Sequence, residues 1–142
     1  MYRLLIVEDE HLIRKWLRYA IDYQSLNILV VGEAKDGKEG AQLIQEEQPD
    51  IVLSDINMPI MTAFDMFEVT KGQSYAKIIL SGYADFPNAQ SAIHYGVLEF
   101  LTKPLEKQAL IERRSICRCS CLELGFLLDF RRMVRQLRVL HW

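Results

Sequence analysis

Cysteine and histidine are scarce in this sequence, and the cysteines are poorly placed for metal binding. Cys117, Cys119 and Cys121 are the only cysteines among 142 residues, and a single residue separates each from the next. Paired zinc ligands are usually separated by about two to four residues, and no nearby histidine completes a ligand set. The spacing therefore argues against a zinc site and favours free thiols in a reducing compartment.

Long apolar runs are also missing. Because no run reaches about 18 apolar residues, we expect no membrane span. The chain starts with the strand-like run 2–7, and acidic residues follow where a signal peptide would have its small-residue cleavage site. We therefore expect no signal peptide and a cytoplasmic location.

The charge is unevenly distributed along the chain. Up to Ile111 there are ten Lys or Arg residues and sixteen Asp or Glu residues, whereas from Glu112 onward there are seven Arg, no Lys and three acids. We therefore predict one domain over residues 1–112 and an atypical basic extension over residues 113–142. Three alternatives stay open for the extension: a dimerisation helix, a disordered or frame-shifted end, or a contact with a membrane or nucleic acid.

Hydrophobic periodicity predicts alternating strands and helices. Short apolar runs typical of strands buried on both faces alternate with segments of helical spacing. This order predicts a three-layer (βα)₅ fold, with parallel strands joined by right-handed crossovers. The predicted strands are 3–7, 28–31, 51–53, 78–80 and 97–101. The predicted helices are 11–23, one that starts at Asp36-Gly37 and is ended by Gln48-Pro49, 63–70, one that starts near Phe86 and is closed by Gly96, and one that begins near Leu105.

Polar side chains follow the predicted strands at the point where each strand ends. Glu8 and Asp9 follow the first strand, and Asp55 follows the third. Ser81 ends the fourth strand, and Lys103 follows the fifth. Because the carboxyl ends of parallel strands meet at one edge of the sheet, we expect these five side chains to converge there.

Convergent carboxylates indicate a particular chemistry. Two carboxylates about 4 Å apart repel by roughly 4 kcal/mol at an effective dielectric near 20. Mg²⁺ relieves this repulsion and suits a shallow site that keeps several waters. A carboxylate beside the metal can act as a nucleophile and become an aspartyl phosphate, while a lysine and a hydroxyl hold the other phosphoryl oxygens.

Each of these residues also has a purely structural explanation. Glu8 and Asp9 would suit the positive end of the first helix. Ser81 would suit a Ser-Gly turn, and Lys103 would suit a solvated surface. Only their joint placement favours the functional interpretation.

Four short motifs carry a resemblance to a known family. They are Val7-Glu8-Asp9-Glu10, Asp55-Ile56-Asn57-Met58-Pro59, Leu80-Ser81-Gly82 and Lys103-Pro104. With these motifs, residues 2–111 resemble the receiver domain of two-component response regulators. The resemblance implies a flavodoxin-like, doubly wound fold with a five-stranded parallel sheet in the order 2-1-3-4-5.

The resemblance also implies a role for each acidic residue. Asp55 is similar to the phosphoacceptor of the family. Asp9, Asp55 and the backbone carbonyl of Asn57 match its Mg²⁺ ligands, and Glu8 matches an acid that usually acts on the metal through water. The implied protein is a phosphoacceptor switch with self-catalysed phosphotransfer and slow autodephosphorylation, not an enzyme.

The implied switch uses the last two strands. Ser81 matches the switch hydroxyl, Lys103 the phosphate-binding lysine and Phe100 the rotating aromatic residue. The expected partner is a sensor histidine kinase, and a homodimer would form through the fourth helix, fifth strand and fifth helix. We further expect the side chains of Asn57 and Tyr83 to tune the lifetime of the aspartyl phosphate.

The segment 81–86 narrows the resemblance to receivers that carry an AraC-type helix-turn-helix output domain. Such a domain would need roughly another hundred residues. We therefore expect the output domain to be absent from this chain and DNA to be contacted only through it.

Several positions depart from the family pattern, and one of them bears on a rival class. Glu8 stands where Asp is commoner, and Ala63 stands where a turn Gly is usual, so Ala63 would be strained if that position needs a positive φ. The third helix is expected to be short. Aspartyl-phosphate phosphatases on a similar sheet need a second Asp two residues beyond the nucleophile, and Asn57 occupies that place.

Overall fold

A parallel sheet of five strands, in the order β2-β1-β3-β4-β5, forms the centre of the computed structural model. The structure describes residues 1–82, 86–102 and 131–136. Within this part of the chain the predicted fold class and strand order are confirmed. The strands are β1 (Tyr2–Val7), β2 (Ile28–Ala34), β3 (Ile51–Ser54), β4 (Ala76–Ser81) and β5 (Glu99–Thr102); the helices between them are α1 (His11–Tyr19), α2 (Gly37–Glu47), α3 (Ala63–Val69) and α4 (Phe86–His94).

The first helix is shorter than its periodicity predicted. α1 ends at Tyr19, and a short 3₁₀ helix, Gln24–Leu26, leads to β2. The buried hydroxyl of Tyr23 donates to the backbone oxygen of Leu17 at 2.6 Å, and burial raises the pKa of Tyr23. Asn27 then takes a left-handed φ of 59°. The chain therefore turns inward to bury Tyr23 instead of continuing the helix.

Side chains cap the second and third helices. The Asp36 carboxylate accepts from the Glu39 backbone N–H at 2.8 Å and begins α2. Thr62 and Asp65 form a reciprocal capping box at the start of α3, which spans seven residues and is short as predicted. Ala63 is the first residue of that helix and does not have a positive φ, so its backbone is not strained. The left-handed φ, 72°, falls on Ile60 instead.

The two faces of the sheet bury two separate apolar clusters. Successive residues of β1 point to opposite faces, so Leu4 and Ile6 join one cluster while Leu5 and Val7 join the other. We call the first the α1-side core, because Leu17 of α1 packs in it. We call the second the α2–α4-side core, because α2, α3 and α4 cover it.

Part of the predicted extension contacts the α1-side core. Residues 131–136 are helical, and Met133 and Val134 are 0% and 5% exposed within that core. The neighbouring Arg131, Arg132 and Arg135 are exposed. This segment is therefore amphipathic, and its apolar side covers the same sheet face as α1.

Three apolar residues expected to face inward are exposed instead. Leu12 of α1 and Ile93 of α4 are 80% and 64% exposed. Ala89, also expected inward, is exposed, whereas Ala92 is fully buried. The inward stripe of α4 is therefore narrower than the periodicity suggested. None of the helices in the described ranges is long and apolar enough to cross a membrane.

Candidate functional site

The strand tips of β1 and β3 lie side by side at the carboxyl edge of the sheet. Val7 is paired in register with Ser54. The Asp55 N–H donates to the Val7 oxygen at 3.0 Å, and the Glu8 N–H donates to the Ala34 oxygen of β2 at 3.0 Å. Backbone pairing therefore continues one residue past each strand and positions Glu8 beside Asp55.

Three carboxylates meet at this edge. One carboxylate oxygen from each of Glu8, Asp9 and Asp55 lies within 4.8 Å of the other two. Glu8 is almost completely buried, at 1% exposed, while Asp9 and Asp55 are more accessible. A set of hard oxygen donors with an open side fits Mg²⁺, which keeps several of its waters when bound.

Local hydrogen bonds orient two of these carboxylates. The Ile56 backbone N–H donates to Oδ1 of Asp55 at 2.7 Å. The Glu10 backbone N–H donates to Oε1 of Glu8 at 3.3 Å. Both bonds come from residues one or two positions further along the chain, so the connections that leave β1 and β3 hold the acids in place.

The loop after β3 carries Asn57 and is anchored at several points. The Met61 N–H donates to the Pro59 oxygen at 2.8 Å, which closes a tight turn about Ile60. A side chain at Gly37 would place its Cβ 2.3 Å from the Met61 oxygen, so only glycine fits this close approach of α2. These contacts fix the path of the loop in which the Asn57 carbonyl lies.

Ser81 and Phe100 lie on the strands next to β3. Ser81 is 1% exposed at the carboxyl end of β4, and β4 pairs with β3. Phe100, on β5 opposite Ile79, is partly buried against the α2–α4-side core. Lys103 and Tyr83 lie outside the described residues, so their predicted positions stay predictions, as do the roles of Ser81 and Phe100.

Arg14 is a contact of the site that the sequence pattern did not predict. Its Nη1 donates to the backbone oxygen of Glu8 at 2.7 Å, and its Nε lies 3.9 Å from Oε1 of Glu33. The helical periodicity of residues 11–23 places Arg14 among the polar positions of the predicted helix. Nothing in that spacing distinguished it from a solvated arginine.

The chain belongs to the response regulator receiver domain family, whose sequence pattern matches residues 4–114. It is 34% identical over 113 residues to YesN, a transcriptional regulatory protein of Bacillus subtilis, and 34% identical over 110 residues to the transcriptional regulatory protein HptR of Staphylococcus aureus. Each match covers 78% of this chain. The chain is therefore a receiver domain, the class of phosphoacceptor switch that its motifs resemble.

Solved structures agree with this assignment. The receiver domain of AraT, a response regulator from Geobacillus stearothermophilus, matches with a TM-score of 0.70 and 29% identity, over 95% of this chain and 98% of that one. The chain spans only 31% of the length of YesN and 44% of HptR. It therefore corresponds to less than half of these relatives.

Proposed function

We propose that Asp55 is the phosphoacceptor of this receiver domain and takes its phosphoryl group from a phosphohistidine of a partner sensor kinase. The convergence of Glu8, Asp9 and Asp55 within 4.8 Å supports this proposal most strongly. Asp55 is also more accessible than Glu8. A nucleophile has to be reached by the donor, so the half-buried Asp55 suits this role better than the buried Glu8.

The same acids suit a magnesium site. Asp9, Asp55 and the Asn57 backbone carbonyl would hold Mg²⁺, and Glu8 would act through a bound water. Bound Mg²⁺ would neutralise the crowded carboxylates and the charge that develops on the phosphoryl oxygens. All of the proposed donors are hard oxygens, which match the preference of this ion.

Phosphotransfer would proceed by in-line displacement. A carboxylate oxygen of Asp55 bonds to phosphorus as the phosphorus–nitrogen bond breaks, and the imidazole nitrogen keeps the electron pair. The Ile56 N–H holds the Asp55 carboxylate in one orientation during the attack. Ser81 and Lys103 would bind phosphoryl oxygens. Water would later hydrolyse the aspartyl phosphate, with Asn57 and Tyr83 beside its path.

The output would be a change in the surface near β4 and β5. Ser81 is buried at the tip of β4, so drawing its hydroxyl toward a phosphoryl group would open space into which Phe100 can turn. Such a local change biases a two-state equilibrium. In a longer protein this equilibrium would control homodimer formation and a DNA-binding output domain in the cytoplasm, and hence transcription.

Intact-mass measurement with acetyl phosphate and Mg²⁺ tests the proposal. The wild-type chain should gain the mass of one phosphoryl group and keep it long enough to be weighed, whereas the Asp55→Asn variant should gain none. Rapid repeated consumption of acetyl phosphate without an adduct would instead support the rival phosphatase class. Uptake by Asp55→Asn equal to that of the wild type would refute the assignment of Asp55.

We also propose that residues 131–136 belong to the receiver core, although the change in composition begins near residue 112. Met133 and Val134 are buried in the same cluster as β1, β3 and β4. A parallel sheet needs cover on both faces, and this segment provides cover beside α1. The boundary at residue 112 would then separate two compositions rather than two folding units.

Truncation of a buried side chain tests this proposal about the core. Met133→Ala should lower the free energy of unfolding by about 2–5 kcal/mol, because it leaves a cavity against the sheet. The exposed Arg131→Ala is the matched control and should change stability by less than about 0.5 kcal/mol. Equal urea midpoints for Met133→Ala and the wild type would show that the segment is not part of the core.

A further inference from the structure

The β1–α1 connection carries two of the three acids, yet α1 begins without a side-chain cap. Glu10 is the N-cap residue, and its side chain makes no capping hydrogen bond. The first turn of α1 contains no acidic residue either. In α2 and α3, by contrast, Asp36 and Thr62 fix the first turn. The β1–α1 connection, which carries Glu8 and Asp9, therefore lacks the side-chain cap that usually fixes the start of a helix.

Arg14 supplies a different anchor for this connection. Its Nη1 donates to the Glu8 backbone oxygen at 2.7 Å, and its Nη2 lies 3.2 Å from Nδ1 of His11. The Glu8 oxygen belongs to the peptide group that joins Glu8 to Asp9. A hydrogen bond to this oxygen therefore restrains the direction in which Asp9 leaves the backbone.

Glu33 of β2 restrains the arginine in turn. Its Oε1 lies 3.9 Å from Nε of Arg14, and its Oε2 accepts from Nη1 of Arg18 at 3.0 Å. The Arg14 side chain is only 16% exposed, so its guanidinium is held by neighbours instead of moving in solvent. β2 is thereby coupled, through Glu33 and Arg14, to the acidic edge of the sheet.

We propose that Arg14 is a positioning residue for the magnesium site: it holds the Glu8–Asp9 peptide so that the Asp9 carboxylate faces Asp55, and Glu33 orients it. This inference rests on the proposed function, because it assumes that the acids bind Mg²⁺.

Mg²⁺ affinity, measured by titration calorimetry on the full chain, tests the role of Arg14. Arg14→Gln should weaken Mg²⁺ binding by about tenfold or more, the effect typical of losing a residue that orients metal ligands. Arg14→Lys should recover part of that loss, because an ammonium group can still donate to the Glu8 oxygen. Glu33→Gln should fall between the wild type and Arg14→Gln.

Arg18→Gln is the matched control. Arg18 lies one turn further along α1, pairs with the same Glu33 and lies over the Tyr19 ring. Its loss should therefore change Mg²⁺ affinity by less than about twofold, since no metal ligand is oriented by it. Thermal denaturation without metal should distinguish a positioning role of Arg14 from a purely structural one. A merely structural Arg14 would lower the melting temperature and leave the affinity of the folded fraction unchanged.

The outcomes distinguish this inference from the proposed function. Unchanged Mg²⁺ affinity in Arg14→Gln, together with wild-type binding and normal phosphoryl uptake, overturns the positioning role alone. A wild-type chain that binds no Mg²⁺ and takes up no phosphoryl group overturns both. If Arg14→Gln does not fold, Arg14→Lys and Glu33→Gln still decide, because equal affinity in both and in the wild type contradicts the inference.

Discussion

Acidic residues have different surroundings at the two edges of the sheet. At the amino edge, the Asp50 carboxylate accepts from the Arg3 backbone N–H at 2.8 Å. The Arg3 guanidinium bonds both the carboxylate and the backbone oxygen of Glu47. Asp50 and Glu47 are each matched by a donor, and the Arg3 guanidinium compensates the charge of Glu47.

At the carboxyl edge, the acids are brought toward one another. Glu8, Asp9 and Asp55 share a space less than 5 Å across, although like charges this close repel. Folded proteins tolerate such conflicts mainly where function requires them. The contrast therefore supports the proposal that the carboxyl-edge acids serve binding and chemistry, whereas those of the amino edge serve stability.

The largest expected difference between the edges is in phosphoryl uptake. Asp50 and Asp55 lie just before and just after β3, so the same Asp→Asn change can be made at either end. Asp55→Asn should abolish the phosphoryl adduct, whereas Asp50→Asn should keep it. Intact mass after incubation with acetyl phosphate measures both. Loss of the adduct in Asp50→Asn, with the fold intact, would break the contrast.

Mg²⁺ affinity should show the next largest difference. Asp9→Asn should weaken Mg²⁺ binding by at least about tenfold, because it removes a proposed ligand and not merely a residue that orients one. Asp50→Asn should leave the affinity within about twofold of the wild type, since its carboxylate is at the opposite edge. Calorimetric titration of the two variants provides the measurement, and equal affinities would contradict the metal assignment.

The stability of the metal-free protein should change in opposite directions at the two edges. Asp55→Asn should raise the free energy of unfolding by between about 1 and 4 kcal/mol, the range of repulsion for charges near 4 Å as the effective dielectric falls toward 20. Asp50→Asn should lower it by about 1 kcal/mol, because a charged acceptor is lost. Urea denaturation with a chelator present tests both signs, and destabilisation by Asp55→Asn would be the contrary result.

The smallest effect should come from an acid at neither edge. Glu68 of α3 accepts from Lys71 Nζ at 3.3 Å, and hydrogen bonds from Lys71 and Tyr95 hold the pKa of Glu68 below its usual value. Because the folded pKa is lowered, the contribution of Glu68 is present above its unfolded pKa and is lost as the pH falls through the folded value. Glu68→Gln should remove this slight acid-side dependence, as thermal melts between neutral and acidic pH would show. An acid-side dependence of stability that is the same in Glu68→Gln and in the wild type would contradict this prediction.

The strand tips illustrate how far sequence patterns reach. Ile51 to Leu53 are apolar without interruption, as a strand buried on both faces requires, so the position of Asp55 at a strand end followed directly. The placement of Glu8 and Asp9 followed in the same way. The common edge was then a consequence of parallel pairing, which the helical segments between strands imply.

Other features depended on contacts between distant segments. Ile93 and Leu12 fit a helical stripe, yet they are exposed, because periodicity gives a face without saying how wide the covered part is. The role of Ala63 also changed, since the left-handed φ falls on Ile60. Met133 and Val134 lie in a segment whose composition alone left three alternatives open, and only their burial against the sheet relates them to the receiver core.

The local sequence pattern alone was enough to predict the fold class, the order of elements and the edge at which the acids gather. Strands buried on both faces give continuous apolar runs, and helices between them imply parallel pairing, so both features can be read from the order of residues. The pattern could not reveal that Arg14 contacts the Glu8 carbonyl or that Glu33 steadies that arginine. The first contact joins α1 to the residue that follows β1, and the second joins α1 to β2 across a longer stretch of chain. Their formation depends on how the folded elements pack against one another. The sequence around a polar residue on a helix surface does not specify its hydrogen-bond partner.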